Sequence, residues 1–390
     1  MTLTWDRRLG IAVVLGPLAC SNAGSGGPTA PASGQQPELV ATVPITPNYG
    51  IHSTYVRDGL AFVCAWNTGI LIYDVGNGIK SGSPASPQLV GSIATAGGMV
   101  HNAWWFHNPV SGENRYLFVG QEGPGTIGTS SSGDIHVVDV SNLAAPVEVA
   151  SFHLNGAGTH NFWMDEPNQI LYAAYYNAGV VALDVSGTLS GDLSSRLISS
   201  VPPGGAGNTY TWGVHLGTAG ALYAIDMLSG LWQLRTAAGS LSVAAGGNNV
   251  PTRYSSDAWL ANGYVYTGTW DWVRRTGLTG SMLKVWQLDS SGAPVAGDSI
   301  ITNDVSAVSD VTVSPDNKVL LFSTEGGSNS GFWFYDLADP AHPSDIGYYP
   351  VAAGIHTTTF SVIGGHLYAF GAKDPPDPAL IILDVTALEP

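Results

Sequence analysis

Seven residues able to bind a metal or move a proton recur along this 390-residue chain at similar intervals. They are His52, His101, His160, His215, Asp257, Asp310 and His356, separated by 49, 59, 55, 42, 53 and 46 residues. Each opens a short apolar stretch, about seven residues before a turn-forming dipeptide. Equivalent positions of a repeat that closes into a ring converge on one axis. Imidazole and carboxylate groups gathered there suit zinc, copper, iron or manganese. Because such ions contact their ligands at about 2.0–2.3 Å, all seven cannot hold one ion. The expectation is therefore one transition metal ion held by a subset. Asn102 and Asn161 directly follow two of the histidines and could orient them from behind. The competing reading is structural: a repeated polar residue hydrogen-bonds the next repeat and fixes packing.

Tryptophans stand beside these positions. Trp104, Trp163, Trp212 and Trp259 could line a pocket for a sugar or an apolar ligand, or pack between repeats. The segment Trp270-Asp271-Trp272-Val273-Arg274-Arg275 interrupts the fifth repeat as a long loop, of the kind that carries function on a rigid scaffold. No G-x-S-x-G, H-E-x-x-H, C-x-x-C or G-x-x-x-x-G-K pattern occurs. No catalytic residue can be named, and the chain reads as a binding protein more than an enzyme.

The elements that must position these residues follow one pattern, repeated seven times. A Gly opens an alternating apolar run that ends in Asp, as in Gly69-Ile-Leu-Ile-Tyr-Asp74, Gly179-Val-Val-Ala-Leu-Asp184 and Gly331-Phe-Trp-Phe-Tyr-Asp336. In the fourth copy, Gly230-Leu-Trp-Gln-Leu-Arg235, Arg replaces Asp. A second apolar run precedes each copy, for example Leu60-Ala-Phe-Val, Ile170-Leu-Tyr-Ala and Val319-Leu-Leu-Phe. Most of these runs follow turn-forming pairs: Asp58-Gly59, Asn168-Gln169, Asn262-Gly263, Asp316-Asn317 and Gly364-Gly365. A further strand follows several of the aspartates, such as Pro87-Gln-Leu-Val-Gly. Four antiparallel strands repeated about every 50 residues predict an all-β, seven-bladed β-propeller. The last copy ends at Asp384 without a fourth strand, and Pro37 to Val43 reads as a fourth strand without a blade. The N-terminal strand is expected to close the ring, leaving no open sheet edge.

The strand ending Ile/Val-x-Asp-Val and the following Pro-x-x-Val-Gly strand resemble the LVIVD-repeat family of bacterial and archaeal propellers. The closest passage is Asp336-Leu-Ala-Asp-Pro-Ala-His-Pro343, and the resemblance spans residues 37–390. It implies the propeller fold and an exported or surface protein, and it assigns no activity. A weaker similarity, to selenium-binding, methanethiol-oxidising propellers that place His around a metal, rests on Phe106-His-Asn-Pro109 and on the Asp-x-x-Pro strands. The cysteine-rich segment of that family is missing here.

Residues 1–20 have the shape of an export signal: Arg7 and Arg8, an apolar run from Leu9 to Ala19, then Pro-Leu-Ala-Cys20. This end resembles a lipoprotein signal with Cys20 as the acylated residue, although Pro17 stands where Leu is usual. Residues 21–36 are Ser-, Gly- and Pro-rich and read as a flexible tether. Cys64, the one other cysteine, lies in an apolar run and reads as a buried small hydrophobe. The expected location is the cell envelope or the extracellular medium, with a lipid anchor as the sole membrane contact. A monomer that binds an envelope protein or glycan is expected. Only 11% of residues are charged and the formal net charge is −16, so nucleic acid is a poor partner.

Overall fold

The computed structural model describes residues 36–46, 50–123, 133–270 and 280–390. The residues read as an export signal, most of those read as a tether, Cys20, and residues 271–279 with Arg274 and Arg275 lie outside the described residues.

Seven antiparallel blades form the ring. Blade 1 comprises Ser53–Arg57, Leu60–Cys64, Ile70–Asp74 and Gln88–Ile93; blade 2 comprises Val100–Phe106, Tyr116–Gln121, Ile135–Asp139 and Val147–Phe152. Blade 3 runs through Phe162–Asp165, Ile170–Ala174, Val180–Asp184 and Leu197–Val201; blade 4 through Thr211–Leu216, Ala221–Asp226, Gly230–Ala237 and Ser240–Gly246. Blade 5 has Tyr254–Ala261, Tyr264–Trp270, Met282–Leu288 and Pro294–Ile301; blade 6 has Ala307–Val313, Val319–Glu325, Gly331–Asp336 and Ser344–Pro350. Blade 7 is built from Thr357–Ile363, His366–Lys373 and Ala379–Asp384, and its outer strand is Glu38–Pro44. Glu38 pairs with Asp384 and Pro44 with Ala379, with a bulge at Val40, so the two chain ends share one sheet as the sequence anticipates. Among the described residues no helix is long and apolar enough to cross a membrane.

Each second strand is covered on both faces by neighbouring blades. Leu60–Cys64 and Tyr116–Gln121 are therefore buried along their whole length and read as continuous apolar runs. The core divides accordingly into clusters between adjacent blades. Phe62, Val90 and Leu117 pack between blades 1 and 2, and Val63, Phe370 and Leu380 join blade 7 to blade 1. Cys64 is fully buried in the first of these clusters.

The Gly and Asp that recur in most copies of the motif have structural roles. A Cβ on Gly69 would sit 2.1 Å from the Ile93 carbonyl oxygen, and one on Gly179 2.1 Å from that of Val201. Both glycines have positive φ, so the third strand can start beside the fourth only with Gly there. The Asp that ends the run accepts a hydrogen bond from the backbone N–H two residues on: Ser141 on Asp139 at 2.9 Å, Ser186 on Asp184 at 2.8 Å and Ala338 on Asp336 at 2.8 Å. These are Asx turns that end the strand. Blade 4 has Arg235 in this place, and its strand continues to Ala237.

Candidate metal centre

The first strand of each blade lines the axis, and its register decides which side chains meet. His52, His160 and His356 each donate their backbone N–H to a second-strand carbonyl, of Cys64, Ala174 and Ala372, all at 2.8 Å. His101 sits at the bulge between Val100 and Asn102. These four histidines come together. Ring centroids lie 3.5 Å apart for His52 and His101, 4.0 Å for His101 and His160, and 4.2 Å for His52 and His356. A ring nitrogen from each of His52, His101 and His160 lies within 4.8 Å of the others.

Hydrogen bonding fixes part of the proton arrangement. His160 Nδ1 faces the Trp212 carbonyl oxygen at 2.5 Å, so it carries the proton and leaves the Nε2 lone pair free. His160 Nε2, both nitrogens of His101 and Nδ1 of His52 are buried without a partner. Burial, followed by the nearby imidazoles, holds His52 and His101 well below the usual histidine range. Burial does the same to His160 against the Trp212 carbonyl. The three rings are neutral at pH 7, the form that coordinates metal.

The other three residues of the sequence-derived set lie elsewhere, for a reason of register. Gly213 pairs with Ile225 as Asn102 pairs with Gly120, which puts Trp212 where blade 2 has His101. His215 therefore falls three residues further along the strand. Its ring lies tilted against Trp163 at 3.7 Å and edge-on to Trp259 at 5.0 Å, and burial pushes it down to about 3. Asp257 and Asp310 align with Asn102, one residue past the histidine position, where Ser256 and Ser309 stand instead. A slip of one residue turns a strand side chain to the other face, and spacing across loops of variable length cannot detect it. Asp257 and Asp310 hydrogen-bond to one another and burial raises both, Asp310 further through the Asp257 charge. Asp310 also accepts from the N–H of Thr358 at 2.6 Å and of Val311 at 2.9 Å.

The tryptophans divide the same way. Tyr55, Trp104, Trp163 and Trp259 form one run with centroid separations of 5.3, 5.4 and 5.8 Å. Trp212 belongs to the histidine layer, 4.1 Å from His160. The surface cleft lined by Leu39, Thr42, Tyr349 and Lys373 includes none of these residues.

A second ring escapes the sequence reading. Trp66 lies two residues beyond Cys64, Tyr176 two beyond Ala174 and Asp374 two beyond Ala372; Glu122, Trp270 and Glu325 hold the matching places. Trp66 stands edge-on to His52 at 4.9 Å, and Tyr176 lies 5.3 Å from His160. Both have left-handed backbones, φ 45° and 37°, strained for aromatic residues and found beside the histidines in two blades. The Tyr176 hydroxyl donates to Glu122, whose carboxyl burial pushes up to about 7 against that hydrogen bond. His356 Nδ1 meets Glu325 at 3.1 Å and its Nε2 meets His52 Nε2 at 2.7 Å. Burial opposes protonation of His356, but Glu325, Asp374 and Glu122 outweigh it and push it up to about 9. A regular offset carries the signal for this ring. Trp66, Glu122, Tyr176, Trp270 and Glu325 each follow the first residue of their second-strand motif by six positions.

Fold and site together define a seven-bladed propeller with a buried cluster of histidines on its axis, an architecture that fits a binding or interaction module. No protein-family model and no curated protein matches the chain.

Proposed function

We propose that this protein binds a transition metal ion on the propeller axis through His52, His101 and His160. The observation that carries the reading is the set of four buried ring nitrogens without partners on three touching, neutral imidazoles. A buried polar group left unpaired costs about 1–3 kcal/mol, and coordination would relieve that cost at several atoms together. An all-imidazole donor set suits zinc, copper or nickel. The test is elemental analysis of protein prepared without a His-tag and loaded with Zn²⁺ or Cu²⁺. The His101→Ala/His160→Ala variant should lose one equivalent per chain relative to wild type. Equal metal content in the two proteins rejects the reading.

A second reading concerns place. The basic-then-apolar start, Cys20 and the polar tether support an exported protein held to the cell envelope by a lipid on Cys20, with a protein or glycan as partner. The LVIVD-repeat resemblance favours the same location. Labelled palmitate should enter the wild-type chain and not Cys20→Ser; label surviving in that variant defeats the anchor.

A further inference from the structure

We propose a second cation site beside the histidine cluster, formed by Glu325, His356 and Asp374, which takes a harder divalent ion such as Mn²⁺. The inference extends the metal reading but rests on a different donor set, so either can fail without the other. The carboxylates of Glu325 and Asp374 and a ring nitrogen of His356 lie within 4.8 Å of one another. The three come from adjacent blades. Glu325 ends the second strand of blade 6, His356 precedes the first strand of blade 7, and Asp374 follows the second strand of that blade.

Each donor is held from behind. Ser309 Oγ donates to Glu325 Oε2 at 2.8 Å, leaving Oε1 facing His356 Nδ1. Trp66 Nε1 approaches Asp374 Oδ1 at 3.5 Å, and a Cβ on Gly50 would lie 2.5 Å from that same oxygen. Gly50 has φ +106°, so the backbone passes over the Asp374 carboxylate as only glycine permits. Outer contacts of this kind orient metal ligands. One imidazole with two carboxylates is a harder set than three imidazoles and suits manganese or iron better than copper.

The two sites meet at the 2.7 Å contact between His52 Nε2 and His356 Nε2. The nitrogens left for metal are then Nδ1 on both rings, pointing to opposite sides of the contact. With His356 charged and His52 neutral the two rings carry three protons, so filling both sites releases two to solvent and leaves one between the Nε2 atoms.

The experiment titrates metal-stripped, full-length protein with Mn²⁺ alone and follows the free-ion signal by electron paramagnetic resonance. Wild type should take up one Mn²⁺ that Glu325→Gln/Asp374→Asn binds about tenfold or more weakly. His101→Ala/His160→Ala should retain it. Unchanged Mn²⁺ affinity in the carboxylate variant, or no uptake by wild type, overturns the second site. Loss of Zn²⁺ in the histidine variant would still uphold the first. Retained Mn²⁺ binding with no histidine-dependent Zn²⁺ would reject the first site and keep the second. Circular dichroism checks folding, and single Glu325→Gln serves if the double variant does not fold.

Discussion

Blades 7, 1, 2 and 3 place His356, His52, His101 and His160 at the inner position of their first strands, whereas blades 4, 5 and 6 place Trp212, Ser256 and Ser309 there. The scaffold is the same, yet the chemistry differs in kind. At the serine positions themselves the hydroxyls are answered within the protein, although His215 Nε2 and Ser255 Oγ nearby are buried without a partner. Ser256 Oγ donates to the Val308 carbonyl at 2.6 Å, and Asp310 pairs with Asp257 and two backbone N–H groups. On the histidine side four ring nitrogens are buried and unanswered. A satisfied buried network rigidifies a fold, while an unsatisfied one marks a place where something else binds. At this position of the repeat, the ring thus divides into a half whose side chains bond to the protein and a half whose converging imidazoles are left open to a ligand.

The largest test removes the strand that completes blade 7, the blade that brings His356 into the open half. Deleting residues 1–36 should leave the melting temperature unchanged. Deleting 1–45 removes the pairing of Glu38–Pro44 with Ala379–Asp384. Cross-strand pairs contribute about 0.2–1 kcal/mol each, and burial of Val40, Ala41 and Val43 against blades 7 and 1 adds to them. A drop of many degrees or aggregation is expected. Equal melting temperatures would show that this strand does not close the ring.

Next in size is the response to metal. Zn²⁺ at a hundred times its dissociation constant should stabilise wild type by about 2.7 kcal/mol. The same addition should leave His101→Ala/His160→Ala where it was. A shift of equal size in both would remove the distinction between the open half and the rest of the surface.

Substitution within each half sharpens the contrast further. Asp310→Ala strands the N–H groups of Thr358 and Val311 and should lower stability by about 1–3 kcal/mol in urea titrations. His101→Ala in chelator should lower it less, since neither ring nitrogen of His101 loses a protein partner. The reverse order would mean that the histidines are structural and the aspartates dispensable.

How far the sequence reveals this division depends on what periodicity can resolve. Seven blades, the outer strand from the N-terminus and the turn-forming aspartates are all visible, because alternation with period two and Gly-Asp punctuation leave marks in one dimension. Convergence of His52, His101, His160 and His356 follows from the same periodicity. The placement of His215, Asp257 and Asp310 does not, because a bulge or a loop of altered length moves a residue along its strand unseen. The bulge between Ser255 and Ala258 is one such case. Glu122, Glu325 and Asp374 stay hidden for another reason: the ring they share varies from Trp to Tyr to carboxylate, so no single residue type repeats. Counting six residues from the start of the second strand exposes Glu122 and Glu325, but in blade 7 the count reaches Ala372 and misses Asp374 by two.

The smallest effect is a slope in stability against pH. His101 and His160 are held below their unfolded value by burial and stay neutral in the fold. The unfolded chain therefore binds protons that the folded chain refuses, beginning near pH 6.5. Stability from these groups is complete above that pH and is lost as the pH falls through it. His356 runs oppositely, since Glu325 and its neighbours push it up to about 9. Its contribution is complete below 6.5 and fades as the pH rises toward 9. In chelator, wild type should lose stability between pH 6.5 and 6, by less than about 1 kcal/mol for His101 and His160 together. His101→Ala/His160→Ala should show a shallower slope over the same interval. An equal slope in both proteins would mean that these two rings take up protons in the folded state as readily as in the unfolded chain, and the open half would then be accessible to water.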